Sequence, residues 1–219
     1  MILYEIGTSV CHQNFDRSFI INGLSLPICS RCTGIYLGAF LTYIYFLILS
    51  RRKGAALPDK SIMYILLSFI VLMGLDVGTV VLKLRDTNNY IRLATGFLTG
   101  TALVCFLYPI SNFMIWEKED KRGVISKYID LLGLIFFLFI FYVLIISGLE
   151  WLYWLLAGLS IIGILILYFN TNLILVIMFF KKEHKIKSFK NLLYYIPIAI
   201  ILAGIELYLL RLYHIWIRN

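Results

Sequence analysis

Residues 29–49 read CSRCTGIYLGAFLTYIYFLIL, a cysteine pair that runs directly into a long apolar segment. A transmembrane helix needs about 20 predominantly apolar residues, so this stretch predicts a membrane span that begins at the cysteines. Of the 219 residues in the chain, 61% are hydrophobic, which exceeds the roughly 45–50% of soluble domains. The apolar segments do not alternate with polar residues as barrel strands do. The sequence therefore predicts an all-α, polytopic integral membrane helical bundle.

Further apolar segments bring the expected number of transmembrane helices to about six. We predict spans at approximately Gly34–Leu49, Ile62–Leu82, Ile91–Ile115, Ile129–Ser147, Trp151–Phe169 and Leu192–Trp216. Asn170 interrupts the fifth span, and the apolar run 173–180 either continues it as a long tilted helix or lies along the membrane interface. Residues 1–32 form a Cys/His segment and residues 33–219 form the bundle, within a single domain overall.

Basic residues set the predicted orientation of the spans. Thirteen of the 20 Lys and Arg residues fall in the loops after spans one, three and five, beginning with Arg51 and Arg52. Cytoplasmic loops carry such an excess of positive charge, so both termini and the Cys/His segment are expected on the outer face of the plasma membrane. The net charge of +8 follows from this loop pattern. We therefore expect the lipid bilayer, and no nucleic acid, as a partner.

The Cys/His segment holds the side chains best suited to metal binding or redox chemistry, which are Cys11, His12, Cys29 and Cys32. Two cysteines three positions apart suit tetrahedral metal binding, and thiolates favour zinc over magnesium or calcium. Cys11 would be a third ligand, and His12 a ligand or an outer neighbour of the metal, with Asp76 or His214 as alternatives. The expected cofactor is Zn²⁺.

Two other uses of the cysteines stay open. Cys32 near a helix N-terminus and beside Arg31 favours a thiolate, so Cys29 and Cys32 could pass electrons from exported dithiols to a quinone. A structural disulfide is the remaining alternative, although three cysteines at the outer face do not pair evenly. Cys105 falls in the middle of a span and is expected to be core packing.

A second group of polar residues is expected at the same depth as the cysteines. Asp76 lies about 21 Å along its span from Ile62 at 1.5 Å per residue, and Glu206 is expected at a similar depth in the last span. We predict that Asp76 and Arg92 are catalytic. The predicted substrate-binding residues form an anion-binding rim and are Arg17, Arg31, Asn89 and Thr95. Asn88 is expected to cap the third span.

Small residues predict which spans approach each other most closely. Gly34 and Gly38 open the first span, and Gly96 and Gly100 open the third. Glycines four positions apart let helices approach each other. We therefore expect spans one and three to be closely packed, with Arg92 near Cys32.

The motif Cys11-His12-Gln13, with Arg17-Ser18-Phe19 and then residues 26–38 reading LPICSRCTGIYLG, resembles the signature of a prokaryotic family of small multi-pass membrane proteins, domain of unknown function 2085. The resemblance extends to Asp76, Asn89, Arg92, Thr95 and Gly96 and covers roughly residues 10–110. It implies that the two polar groups belong to one site, and it implies no activity.

These observations lead to one main functional expectation. A metal held by thiolates could activate water while arginines hold a phosphate, so we expect metal-dependent chemistry on a lipid-linked or phosphorylated substrate. Thiolate ligation lowers the acidity of the metal, and a non-catalytic binding or transport protein with a structural metal is the close alternative. The sequence leaves open whether the protein is an enzyme.

Overall fold

The computed structural model describes residues 2–13, 15–49, 53–118 and 120–218, so the loop residues Arg51 and Arg52 lie outside it. The helices are α1 (Ile2–Val10), α2 (Ser30–Ile48), α3 (Lys60–Val81), α4 (Asn89–Ile115), α5 (Tyr128–Ile146), α6 (Leu152–Phe179), α7 (Phe189–Leu192) and α8 (Ile196–Arg218). The short strands are β1 (Ile20–Ile21), β2 (Leu24–Ser25), β3 (Gly54–Ala56) and β4 (Asp120–Gly123).

Six of these described helices, α2 to α6 and α8, are long and apolar enough to cross a membrane. The prediction of an all-α bundle with about six spans is therefore confirmed. The spans alternate in direction, so α2, α4 and α6 begin at the end of the bundle where α3, α5 and α8 finish. We call this the cysteine end. Contacts between α1 and α8 place both ends of the described chain there.

Helix α2 lies at the centre of the bundle, against α4 and α6. A Cβ atom on Gly34 would collide with the backbone of Leu93, and one on Gly100 would collide with the backbone of Ile35. These contacts confirm the predicted close packing of the first and third spans. Thr42 and Thr101 add a hydroxyl contact of 3.2 Å between the same two helices. Helix α2 is therefore fixed in rotation about its axis, and this fixes where its cysteines point.

The fifth span is one continuous helix, because the polar groups of Asn170 are satisfied within the bundle. Asn170 donates to the hydroxyl of Tyr43 at 2.6 Å and accepts from Ser111 at 2.6 Å. The apolar run after it belongs to the same 28-residue helix α6. The interpretation as a long helix is thus correct, and the interfacial alternative is wrong.

The last span differs from its predicted start. Residues 189–192 form the separate short helix α7, and α8 begins at Ile196. Glu206 therefore lies about 15 Å into α8 at 1.5 Å per residue, near the middle of the span. The expected depth in the outer third is wrong for Glu206. It holds for Asp76, which lies about 24 Å into α3 by the same rise.

The loops at the two ends of the bundle are ordered by short backbone pairings. At the cysteine end, β1 and β2 form an antiparallel hairpin just before the cysteine pair. At the opposite end, β3 pairs in parallel with β4. Asn112 in α4 donates to the carbonyl of Gly54 at 3.0 Å and links this pairing to the bundle. The hairpin at the cysteine end positions the segment that enters α2.

Candidate metal centre and the adjoining arginine cluster

Three sulfur atoms meet at the cysteine end of α2. The side chains of Cys11, Cys29 and Cys32 converge, and their sulfur atoms all lie within 4.8 Å of one another. We call this group the cysteine cluster. A tetrahedral Zn²⁺ with Zn–S bonds of about 2.3 Å places its sulfurs roughly 3.8 Å apart. The donor set is soft and compact, so the residues present fit a thiophilic metal ion.

The backbone around the cluster is arranged to stabilise sulfur charge. The amide N–H groups of Cys29 and Gln13 donate to the sulfur of Cys11 at 3.3 and 3.4 Å. Cys29 is also the residue that precedes the first turn of α2, where the helix dipole favours negative charge. Cys11 is 4% exposed, so water contributes little to its stabilisation. Amide N–H groups that donate to a sulfur in this way stabilise its thiolate form.

Gln13 holds the first cysteine against the other two. Its backbone φ of +52° turns the chain sharply after Cys11. Its side-chain amide donates to the carbonyls of Tyr4 and Pro27 at 2.6 and 2.9 Å, and its carbonyl accepts from Thr8 at 3.0 Å. Gln13 therefore joins α1 to the segment before α2. The sequence quoted Gln13 in the motif without assigning this role.

The electrostatics of the cluster are shared between its thiols. Hydrogen bonding to Cys29 raises the pKa of the Cys11 thiol, and burial raises it further. Hydrogen bonds from Cys11 and Cys32 lower the pKa of Cys29, and the backbone amides of the first turn of α2 act in the same direction. Cys29 therefore loses its proton at a lower pH than Cys11 does.

His12 lies outside the three-sulfur group. It is exposed, and its ring packs edge to face against the ring of His214 with the ring centroids 4.8 Å apart. The Nδ1 atom of His214 lies 3.1 Å from the carbonyl oxygen of Leu210. Because a carbonyl can only accept, Nδ1 donates. His12 and His214, the two predicted candidates for a nitrogen ligand, therefore contact each other at the cysteine end of the bundle.

The predicted acid Asp76 lies on the other side of the α2 N-terminus. It is 2% exposed, forms ion pairs with Arg31 and with Arg85, the latter at 2.5 Å, and accepts from Thr87 at 2.9 Å. Arg31 stands between the two cysteines of α2, so this ion pair links α3 to the cysteine cluster. The role of Thr87 carried no signal in the sequence.

Arg92 and Asn89 lie at the start of α4 beside this ion pair. Arg92 donates to the side-chain oxygen of Asn89 at 3.1 Å and interacts with the charges of Arg17, Arg31 and Asp76. Asn89 donates to the carbonyl of Ser18 at 3.3 Å, which holds the turn that carries Arg17. We call Arg17, Arg31 and Arg92 the arginine cluster. Arg92, which was predicted to be catalytic, therefore lies near the predicted rim residues Arg17 and Arg31.

Two further residues at the start of α4 bond locally. The hydroxyl of Thr95 donates to the Ile91 carbonyl of its own helix at 3.0 Å. The side chain of Asn88 accepts from the Ile91 amide at 2.9 Å, which confirms the predicted cap of α4. Within the described part of the chain, the Nε atom of Arg31 is buried and finds no hydrogen-bond partner. This donor belongs to the arginine cluster.

Fold and site together define a class, a multi-pass helical membrane protein with a three-cysteine group at one end of its bundle. The chain belongs to the DUF2085 family, described as predicted membrane proteins, whose model matches residues 11–106. This match covers the whole cysteine cluster and the arginine cluster, and it ends within α4. Helices α5 to α8 lie beyond it, so they supply no part of the family match.

Two archaeal relatives are similar to the chain. An uncharacterised protein of Methanocaldococcus jannaschii is 33% identical over 116 residues, which are 53% of this chain and 72% of the relative. An uncharacterised protein of Methanothermobacter thermautotrophicus is 35% identical over 106 residues, which are 48% of this chain and 91% of the relative. No solved structure matches the chain significantly.

Proposed function

We propose that the cysteine cluster holds Zn²⁺ on the outer face of the plasma membrane, and that the protein carries out metal-dependent chemistry on a lipid-linked or phosphorylated substrate. The observation behind this proposal is the convergence of three cysteine sulfur atoms within 4.8 Å. When bound to three protein ligands, the metal would supply a Lewis acid and an activated water at its fourth position. Cys11, Cys29 and Cys32 are the proposed ligands.

His12 is the proposed fourth ligand or outer neighbour of the metal. Its exposed ring would have to leave His214 and turn toward Cys11 to reach the ion. If it stays against His214, the fourth position is open to water or substrate. A spectroscopic comparison of Co²⁺-substituted protein with and without His12→Ala distinguishes these cases, because loss of a nitrogen ligand changes the visible spectrum.

The arginine cluster is the proposed site for the phosphate of the substrate. Guanidinium groups bind phosphate through parallel N–H donors, and the buried Nε of Arg31 would gain an acceptor from such a ligand. Arg92 would stabilise negative charge that develops on the phosphate. Asn89 and Thr95 remain proposed contacts at the same rim.

Asp76 is assigned a positioning role within this proposal. Both of its carboxylate oxygens already accept from neighbouring groups. A carboxylate held in this way orients Arg31. It would therefore act on the chemistry through Arg31.

The test uses a polyprenyl diphosphate as the probe and measures phosphate release by the Zn²⁺-loaded protein in lipid nanodiscs. We expect release that is lost in Cys29→Ser and reduced at least tenfold in Arg92→Gln. The matched control is Arg211→Gln, because Arg211 pairs with Glu5 at 3.3 Å away from the rim. If the protein holds zinc and binds the probe but releases no phosphate, the proposed catalysis is wrong and only a binding function is left.

Thiol redox chemistry is a second candidate, favoured by the lowered pKa of Cys29. In this alternative Cys29 and Cys32 form a disulfide and release two electrons and two protons. A membrane quinone would take up both and become a quinol, and an exported dithiol would reduce the disulfide again. Quinone reduction by metal-free protein would favour this candidate.

A structural metal in a non-catalytic binding or transport protein is a third candidate. The burial of Cys11, which is 4% exposed, favours it, since closed thiolate sites are typically structural. Under this alternative the metal would fasten α1 to the bundle. Phosphate release would then be absent while metal removal would still unfold α1.

A further inference from the structure

Glu206 lies in a cleft that opens on the side of the bundle, and two tyrosines of this cleft pack near the cysteine cluster. The cleft has a volume of about 420 Å³ and is bounded by α2, α4, α6 and α8. Its lining residues are Ile35, Tyr36, Leu103, Leu107, Leu167, Tyr168, Thr171 and Glu206. We call it the acid cleft, because Glu206 is its one ionisable acid.

The position of Glu206 is costly for a carboxylate. It is exposed on a helix that is apolar enough to span the membrane, and it lies near the middle of that helix. An ionisable group at this depth normally has a partner that compensates its charge. The Oε2 atom accepts from the side-chain amide of Asn172 at 2.7 Å, and an amide leaves the charge itself uncompensated.

The two intramembrane acids of the chain differ in this respect. Asp76 is enclosed by the guanidinium groups of Arg31 and Arg85. Glu206, by contrast, forms no ion pair within the described residues, and the residues that line its cleft include no Lys, Arg or His. The acid cleft therefore presents a negative charge that a cation entering from the bilayer would balance.

The other walls of the cleft suit an apolar cation. Tyr36 and Tyr168 lie together against the apolar packing beneath the cysteine cluster, and aromatic rings stabilise adjacent cations. Leu103 and Leu107 of α4 offer apolar surface to the substituents of such a cation.

We propose that the acid cleft binds a lipophilic organic cation, a quaternary ammonium or phosphonium type of ligand, with Glu206 as its counter-charge. The carboxylate balances the charge of the ligand, and the tyrosine rings and leucine side chains take up its apolar groups. This site is independent of the metal centre.

The probe is radiolabelled tetraphenylphosphonium, measured by equilibrium binding to the whole chain in lipid nanodiscs. We expect saturable binding of about one cation per chain, weakened at least tenfold by Glu206→Gln. The matched control is Glu150→Gln, which makes the same change at an acid of the cysteine-end loop that accepts from Asn22 at 3.2 Å. This control should bind as the unmodified chain does.

A second variant leaves the acid in place and fills the cleft. Leu103→Trp should weaken binding by a similar factor. It tests cation binding in the cleft even if Glu206→Gln does not fold. Absence of saturable binding by the unmodified chain, or equal binding by Glu206→Gln, would overturn the proposal. In that case the cleft would be covered by lipid acyl chains or by a second copy of the chain. Metal content measured on the same samples separates this outcome from a failure of the metal proposal.

Discussion

The guanidinium of Arg31 pairs with the carboxylate of Asp76, so the residue between the two cysteines of α2 is tied to the cysteine end of α3. Asp76 is 2% exposed, and the same carboxylate also pairs with Arg85. The cysteine cluster and the polar residues of the neighbouring helix are therefore mechanically connected through one side chain.

Replacing Asp76 with Asn should destabilise the bundle and loosen the entry to α2. Removing one partner of a buried ion pair costs about 3–5 kcal/mol. The Arg85 side chain is 42% exposed, so we expect about 2–3 kcal/mol here. SDS titration of unfolding measures the loss, and metal affinity measured in parallel should fall. The control is Asp86→Asn, which changes an exposed acid in the loop after α3, and equal effects of the two changes would contradict the assignment.

A methyl group at Gly100 should force α2 and α4 apart. Its Cβ would collide with the backbone of Ile35, and overpacking of this kind typically costs 1–3 kcal/mol or more. Gly74→Ala is the matched change, since a Cβ there meets nothing within 4 Å. Unfolding midpoints should drop for Gly100→Ala and stay level or rise for Gly74→Ala. A neutral Gly100→Ala would mean that the helices are further apart than described.

Loss of the Gln13 side chain should release α1 without unfolding the spans. Gln13→Ala removes the bonds to Tyr4, Pro27 and Thr8 and should cost about 1–3 kcal/mol. Hydrogen exchange should become faster in α1 and remain slow in α4. Asn22→Ala controls for the strain of placing alanine at a positive φ, because Asn22 has a similar φ of +50° in the hairpin. Hydrogen exchange in α1 should be unchanged in this variant.

Metal affinity should rise with pH, because binding requires thiolates and displaces their protons. The pKa of Cys29 is lowered, whereas the pKa of Cys11 is raised. Each metal bound near neutral pH should therefore release at least one proton, and affinity should still be rising at about pH 8–9. Calorimetry in buffers of different ionisation enthalpy counts the protons. An affinity independent of pH would contradict thiolate ligation by Cys11.

The spans and their order follow from the sequence because hydropathy and length alone determine which segments can cross a bilayer. The close approach of α2 and α4 was likewise predictable from four glycines. The continuity of α6 was not, since it depends on Tyr43 and Ser111 satisfying Asn170 across two other helices. Such tertiary hydrogen bonds leave no local signal.

The candidate site shows the same division. Cys11, Cys29 and Cys32 could be grouped from their spacing and the expected start of the first span. The acid cleft could not, because α8 is apolar on most of its surface and its pattern does not fix which face Glu206 presents. Its depth was also misplaced, since the start of α8 at Ile196 depends on the separate short helix α7.

The central claim is tested most directly by elemental analysis of the purified chain together with mass spectrometry of its cysteines. We predict about one zinc ion per chain, lost in Cys29→Ser and retained in Cys105→Ala, whose cysteine is fully buried within α4. Metal-free protein with Cys29 and Cys32 joined in a disulfide would contradict the metal centre and favour the redox alternative.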